Sequence, residues 1–130
     1  MTTLFVSPNG ADHAVLRAIF SRSNWSLRSA FSCADALELL RREPFPVVIC
    51  NGDLPDGSWQ KLVDNSEGMT SRPRVIVSSR NPDERLWTDV LRDGGYDLLA
   101  MPWKGREVMK TISLAWRSWD FARRRTKTAS

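Results

Sequence analysis

Two short runs constrain this chain more than anything else in it, Val47-Val48-Ile49-Cys50 and Val75-Ile76-Val77. Each is apolar at every position rather than at alternate ones. Prolines precede them, Pro44 and Pro46 in one case and Pro73 in the other, and Asn51-Gly52 and Asn81-Pro82 break the chain after them. A strand that is apolar at both parities has to be covered on both faces, which is the situation of a central strand in a parallel sheet. Parallel neighbours need long crossovers, so helices are expected between the strands.

The remaining segments supply them. Residues 3–6 read as a first strand, and residues 11–23 place Ala11, Ala14, Val15, Ala18 and Ile19 at the three-and-four spacing of one helix face. Residues 25–31 read as a weaker strand, alternating through Trp25, Leu27 and Ser29. Ser32 is a natural N-cap for a helix over 33–42, whose apolar side carries Ala34, Ala36, Leu37 and Leu40. After the first apolar run comes a polar loop at 51–57, then a short helix at 58–65 and a loop at 66–73. Asp83 and Glu84 suit a helix N-terminus, Leu86, Trp87, Val90 and Leu91 give that helix its buried side, and Gly94-Gly95 is the expected C-terminal signal. A fifth strand follows at 97–101, then Pro102 and a last helix over 106–123.

Five strand-then-helix units fit a chain of 130 residues, and right-handed crossovers stack the helices on both faces of the sheet. The expected fold class is α/β, a doubly wound five-stranded parallel sheet. The chain is long enough for one domain with a real core and hardly for two, so we read residues 1–122 as the domain and 123–130 as a basic tail.

That division follows the charge. The net charge is +4, from 19 Lys and Arg against 15 Asp and Glu. Residues 117–130 hold Arg117, Arg123, Arg124, Arg125 and Lys127 against Asp120, whereas the first 116 residues balance 14 basic with 14 acidic side chains. A neutral body with a short basic end argues against a broad nucleic-acid surface, and nothing in 126–130 forms a DNA-reading module. Cys33 and Cys50 are too few for a disulfide framework and lack zinc-site spacing, so both are expected to be buried thiols. No stretch approaches the length of a membrane span, and the N-terminus lacks the regions of a signal peptide. The expected setting is a reducing cytoplasm, away from membranes.

In a doubly wound sheet, sites form outside the carboxyl ends of the strands. Those ends fall at Ser7-Pro8, Asn51, Ser78 and Met101. No glycine-rich dinucleotide fingerprint and no phosphate loop ending in Lys-Ser/Thr is present. His13 has no Ser or Cys at motif spacing and no second His, and reads as a solvated helix residue.

Three patches, residues 46–57 (PVVICNGDLPDG), 75–79 (VIVSS) and 94–103 (GGYDLLAMPW), together with their order and spacing, resemble the receiver domains of response regulators, the chemotaxis-regulator-like phosphoacceptor modules of bacterial two-component systems. The resemblance runs from Leu4 to about Trp119. It implies a flavodoxin-like fold with strand order 2-1-3-4-5, a non-enzymatic role in phosphorelay signalling, and a partner such as a histidine kinase or an output protein. It also implies use of the face formed by the fourth helix, fifth strand and fifth helix for partners or a homodimer.

The family's chemistry is where the sequence departs. Its phosphoacceptor Asp falls on Asn51, its Mg²⁺-binding acidic pair on Ser7 and Pro8, its Lys before the final proline on Met101, and its aromatic switch position on Leu98. Its hydroxyl after the fourth strand is kept as Ser78. A neutral amide cannot form an acyl phosphate, and a hard divalent cation needs carboxylates to offset its dehydration. Near the acceptor position only Asp53 and Asp56 remain, and the family uses the position of Asp53 through its backbone carbonyl. An unpaired buried Lys would cost several kcal/mol, which Met101 avoids. The losses agree with one another and point to a pseudo-receiver that is not phosphorylated, binds no Mg²⁺ or other cofactor, and acts by protein–protein contact.

Other readings stand beside this one. Asp53 could serve as a displaced acceptor, or Asn51-Gly52 could deamidate to restore the carboxylate. An enzyme using Asp53 or Asp56 as acid or base lacks a partner residue. A flavodoxin-like protein could bind a small molecule or nucleotide in the cleft around Ser7, Asn51 and Ser78. Met109, Ile112, Trp116 and Trp119 form a stripe on the last helix that either packs on the sheet or, with Trp103, presents interface anchors. The basic tail could end the helix in complement to its dipole or meet an acidic partner.

Overall fold

The structure, a computed structural model, describes residues 1–69 and 71–129, without the side chains of Asp53 and of residues 126–129. The chain runs β1 (Thr2–Val6), α1 (Gly10–Phe20), β2 (Ser26–Ala30), α2 (Cys33–Arg42), β3 (Val47–Asn51), β4 (Asp53–Leu54), β5 (Gly57–Ser58), α3 (Trp59–Ser66), β6 (Arg74–Ser79), α4 (Glu84–Arg92), β7 (Asp97–Ala100) and α5 (Gly105–Ala129). Five strands form one parallel sheet in the order β2-β1-β3-β6-β7. Counted along the chain without the two-residue strands, that is the expected order 2-1-3-4-5.

The two apolar runs lie next to each other as β3 and β6, with Val48 opposite Val75 and Cys50 opposite Val77. All four residues of the run over 47–50 are fully buried, and the pleat sends them alternately to two cores. Leu4, Val6, Val48, Cys50, Val75 and Val77 pack beneath α2, α3 and α4 with Cys33, Ala36, Trp59, Leu62 and Val90. Phe5, Val47, Ile49, Ile76 and Leu99 pack on the other side against Leu16 and Phe20 of α1 and Val108, Ile112 and Ala115 of α5. This two-sided burial is the physical reason that the runs carry no polar residue.

Local chemistry sets the helix ends. Ser32 accepts from Asp35 N–H and Asp83 from Leu86 N–H, both as N-caps, and Asn9 does the same for Ala11. After α4 the chain turns at Gly94, whose φ of +90° favours glycine, and Gly95 N–H closes back onto Val90 C=O at 2.8 Å.

Three local expectations are corrected. Residues 53–58, expected as loop and the first residue of the short helix, hold an antiparallel pair, Asp53 opposite Ser58 and Leu54 opposite Gly57, too short to show a period in sequence. The last helix does not stop at residue 123 but continues to Ala129, because Arg, Lys and Thr do not break a helix already nucleated by a packed first half. His13 is not solvated: it is only 4% exposed. Cys33 and Cys50 are buried free thiols as expected, and burial pushes the proton affinity of both upward. Among the described residues, no helix is long and apolar enough to cross a membrane.

Candidate functional site

Parallel register brings the strand ends together. Asn51 sits opposite Ser78, Gly52 N–H reaches Ser78 C=O at 3.2 Å, Ser7 N–H reaches Ala30 C=O at 3.0 Å, and Met101 N–H reaches Ser79 C=O at 2.8 Å. Ser7, Ser78 and Met101 are buried and Asn51 half-buried. Pro8 follows as an exposed residue before α1, and the peptide Met101-Pro102 is cis. The backbone thus assembles Ser7, Asn51, Ser78 and Met101 at the carboxyl ends of the strands. Asp53 contributes its backbone to β4, and its side chain lies outside the described residues.

The side chains at these ends bond to one another. Asn51 Nδ2 donates to Ser7 Oγ at 2.8 Å and lies 3.3 Å from Asp12 Oδ2. Ser7 Oγ also accepts from Asn9 N–H at 3.1 Å. With its NH₂ turned toward these acceptors, Asn51 leaves Oδ1 buried without a partner among the described residues. Ser78 Oγ accepts the indole N–H of Trp103 at 2.9 Å, and the Trp103 ring stands edge-on to Phe5, with centroids 5.4 Å apart.

Asp12 and Arg80 belong to this cluster and were not anticipated. Asp12, in the first turn of α1, is 4% exposed and pairs with Arg80 Nη2 at 2.7 Å. The available signal was positional. Arg80 lies two residues beyond Ser78 and Asp12 five beyond Ser7, each in a segment that leaves the carboxyl end of a strand.

His13 supports the cluster from the α1 side. Its Nε2 lies 2.8 Å from Ser7 C=O, which can only accept, so Nε2 carries the proton. In the neutral ring Nδ1 is then an acceptor, taking the hydroxyl proton of Ser29 at 2.9 Å, while Arg17 donates to the same Ser29 oxygen at 2.9 Å.

Asp56, weighed as an acid or base, is committed elsewhere. Its two oxygens accept from Cys33 N–H at 2.7 Å and Ala34 N–H at 3.0 Å, so it caps the start of α2. The Ala34 and then the Cys33 amide bonds hold its carboxyl below the usual range. Among the described residues, no group of three or more His, Cys, Asp and Glu side chains gathers as metal ligands.

The tryptophans of the last segment are turned inward. Trp103 and Trp116 pack against the core beneath α1 and α5. Trp119 is half-buried, with Arg123 over its ring at 5.2 Å. Large apolar side chains are exposed at Trp87 and Leu91 on α4 and at Leu114 and Phe121 on α5.

No family model matches the chain. Over 112 residues it is 28% identical to the rice (Oryza sativa subsp. japonica) protein Two-component response regulator ORR7, covering 83% of this chain and 53% of that protein. The chain thus spans about half the length of this curated relative. Among solved structures it superposes on the signal receiver domain of an HD domain-containing protein from Pseudomonas fluorescens Pf-5 with a TM-score of 0.85, at 23% identity over 95% of this chain and 92% of that one. A CheY-like response regulator receiver domain protein from Methanospirillum hungatei JF-1 gives 0.80 at 15% identity, over 92% and 95%. These structural likenesses speak for the fold. In fold the chain is like the receiver domains of response regulators, and in sequence it is similar to a two-component response regulator.

Proposed function

We propose that this receiver domain signals through protein contact and without an acyl phosphate. The observation that carries this reading is Asn51 Nδ2 donating to Ser7 Oγ at 2.8 Å. At the position of the family's nucleophile stands a neutral amide facing the site as a hydrogen-bond donor. An amide offers no anionic oxygen to an incoming phosphoryl group, and the hydroxyl of Ser78 is held by Trp103.

The Mg²⁺ that the family uses does not fit these residues. Ser7 and Pro8 supply no carboxylate, Asn51 presents its NH₂, and the carboxylate of Asp12 beside it is paired with Arg80 at 2.7 Å. A hard cation would have to displace that guanidinium while gaining few anionic oxygens to offset its dehydration.

A partner such as a histidine kinase or an output protein would be met through α4 and α5, the helices on which Trp87, Leu91, Leu114 and Phe121 are exposed. Exposed aromatic and aliphatic groups of this size are typical anchors of protein interfaces. A homodimer through the same helices is the competing occupant.

The deciding experiment incubates the purified chain with Mg²⁺ and acetyl phosphate, then with beryllofluoride, and follows intact mass and tryptophan emission. No phosphoryl adduct and no saturable emission change are expected. A stoichiometric adduct on residues 51–53 would overturn the reading.

A further inference from the structure

The site has lost its family carboxylates, yet it holds one carboxylate where the family pattern assigns none. Asp12 is 4% exposed, and a charge so deeply buried persists only with a partner. Its partner is Arg80, which reaches Oδ1 at 2.7 Å and Oδ2 at 3.5 Å. The guanidinium arrives from outside: 58% of the Arg80 side chain is exposed, against 6% of Asp12. On its other flank Asp12 faces Asn51 Nδ2 at 3.3 Å, and Asn51 Oδ1 is buried without a partner among the described residues. One carboxylate and that amide oxygen therefore sit at the carboxyl ends of the strands, and the positive charge beside them belongs to the chain itself.

We propose that Arg80 is the resident cation of this site. Tethered two residues beyond Ser78, it occupies the ground that a diffusible divalent ion would need and neutralises Asp12 as an intramolecular partner. The same pair fastens the segment between β6 and α4 to the first turn of α1. That segment is short: Asn81 N–H bonds to Ser79 Oγ at 3.1 Å and Asp83 already caps α4. The pair therefore holds the edge of the site in one arrangement whatever the divalent ion concentration. The inference rests on the reading of Asn51 as a non-acceptor, and it adds the group that fills the place left empty.

Its test is the removal of the guanidinium, with Mn²⁺ as the probe. Melting temperatures of the wild type, Arg80→Ala, Arg80→Gln, Arg80→Lys and the double variant Arg80→Ala/Asp12→Asn are measured with and without millimolar Mn²⁺. The side chain is largely exposed, so the single variants should fold, and Gln serves if Ala does not. The expected result is no shift for wild type and Arg80→Lys, a rise of a few degrees for Arg80→Ala and Arg80→Gln, and loss of that rise in the double variant. Equal shifts in wild type and Arg80→Ala, or no shift in either, would overturn the proposal, and so would a rise that survives Asp12→Asn. Phosphorylation is scored separately by intact mass on the wild type, so a phosphoryl adduct would strike the proposed function, whereas the Mn²⁺ comparison judges Arg80.

Discussion

The indole N–H of Trp103 donates to Ser78 Oγ at 2.9 Å, so the hydroxyl that the family keeps after its fourth strand is engaged by the residue following the last proline. The bond ties the start of the α5 region to the end of β6, and the edge-on contact with Phe5 at 5.4 Å holds the ring in place. The hydroxyl in this position serves the indole as an acceptor.

Trp103→Phe tests that statement, because it keeps an aromatic ring against Phe5 and removes only the donor and part of the ring area. Ser78 is 1% exposed, and a buried hydroxyl losing its partner costs about 1–3 kcal/mol. Urea unfolding should show a lowered midpoint at unchanged slope. Ser78→Ala should cost a similar amount, and the double variant less than the sum. Strict additivity would mean that the two residues are not coupled.

His13→Phe removes two hydrogen bonds from a ring packed between Phe5 at 4.6 Å and Phe31 at 4.2 Å. Ring shape is roughly kept, so the loss should come from Ser7 C=O and the Ser29 hydroxyl and amount to about 1–3 kcal/mol, read from the same unfolding curves. The tautomer is checked independently by ¹⁵N shifts of the imidazole in the neutral protein, which should place the proton on Nε2. A proton on Nδ1 would contradict the bond to Ser7 C=O.

The sheet was legible in the chain, and half of the site with it, for one reason. Val47 to Cys50 and Val75 to Val77 are apolar at both parities, and once they are central parallel strands their register alone brings Ser7, Asn51 and Ser78 together. What could not be read depends on side chains crossing between segments. Asp12 and Arg80 stand 68 positions apart, and nothing local to either announces the other. The spacing of Trp116 and Trp119 names one helical stripe without telling a core-facing stripe from a partner-facing one. His13 looked solvated because its helix shows Ala and Val on the periodic face, whereas its burial comes from Phe5, Ser7 and Phe31, residues of other segments.

Asp56 gives the acid limb of stability a specific origin. Its carboxyl is held below the ordinary value of 3.8, first by the Ala34 amide and then by the Cys33 amide. A group with a depressed folded value binds fewer protons in the folded state than in the unfolded one. Its contribution is therefore full above the unfolded value and lost as pH falls through the folded one. Asp56→Ala should melt below wild type at neutral pH, and the gap should close as the pH drops below about 4. A gap independent of pH would show that the two amide bonds do not depend on the ionised form.

Restoring the acid alone should not restore the chemistry. Asn51→Asp places a second carboxyl where the amide now stands, 3.3 Å from Asp12 Oδ2, with a single guanidinium to serve both. Two ionised carboxylates at this distance repel each other, and protonating either one relieves the repulsion. Relative to wild type, it should be destabilised at neutral pH and less so near pH 5. Ser7, Pro8 and Met101 remain as they are and provide neither the carboxylates for a divalent ion nor the lysine of the family. Incubation of Asn51→Asp with acetyl phosphate and Mg²⁺ should therefore leave the intact mass unchanged, whereas a stable phosphoryl adduct in this single variant would show that Asn51 was the only barrier and that the changes at the other strand ends are incidental.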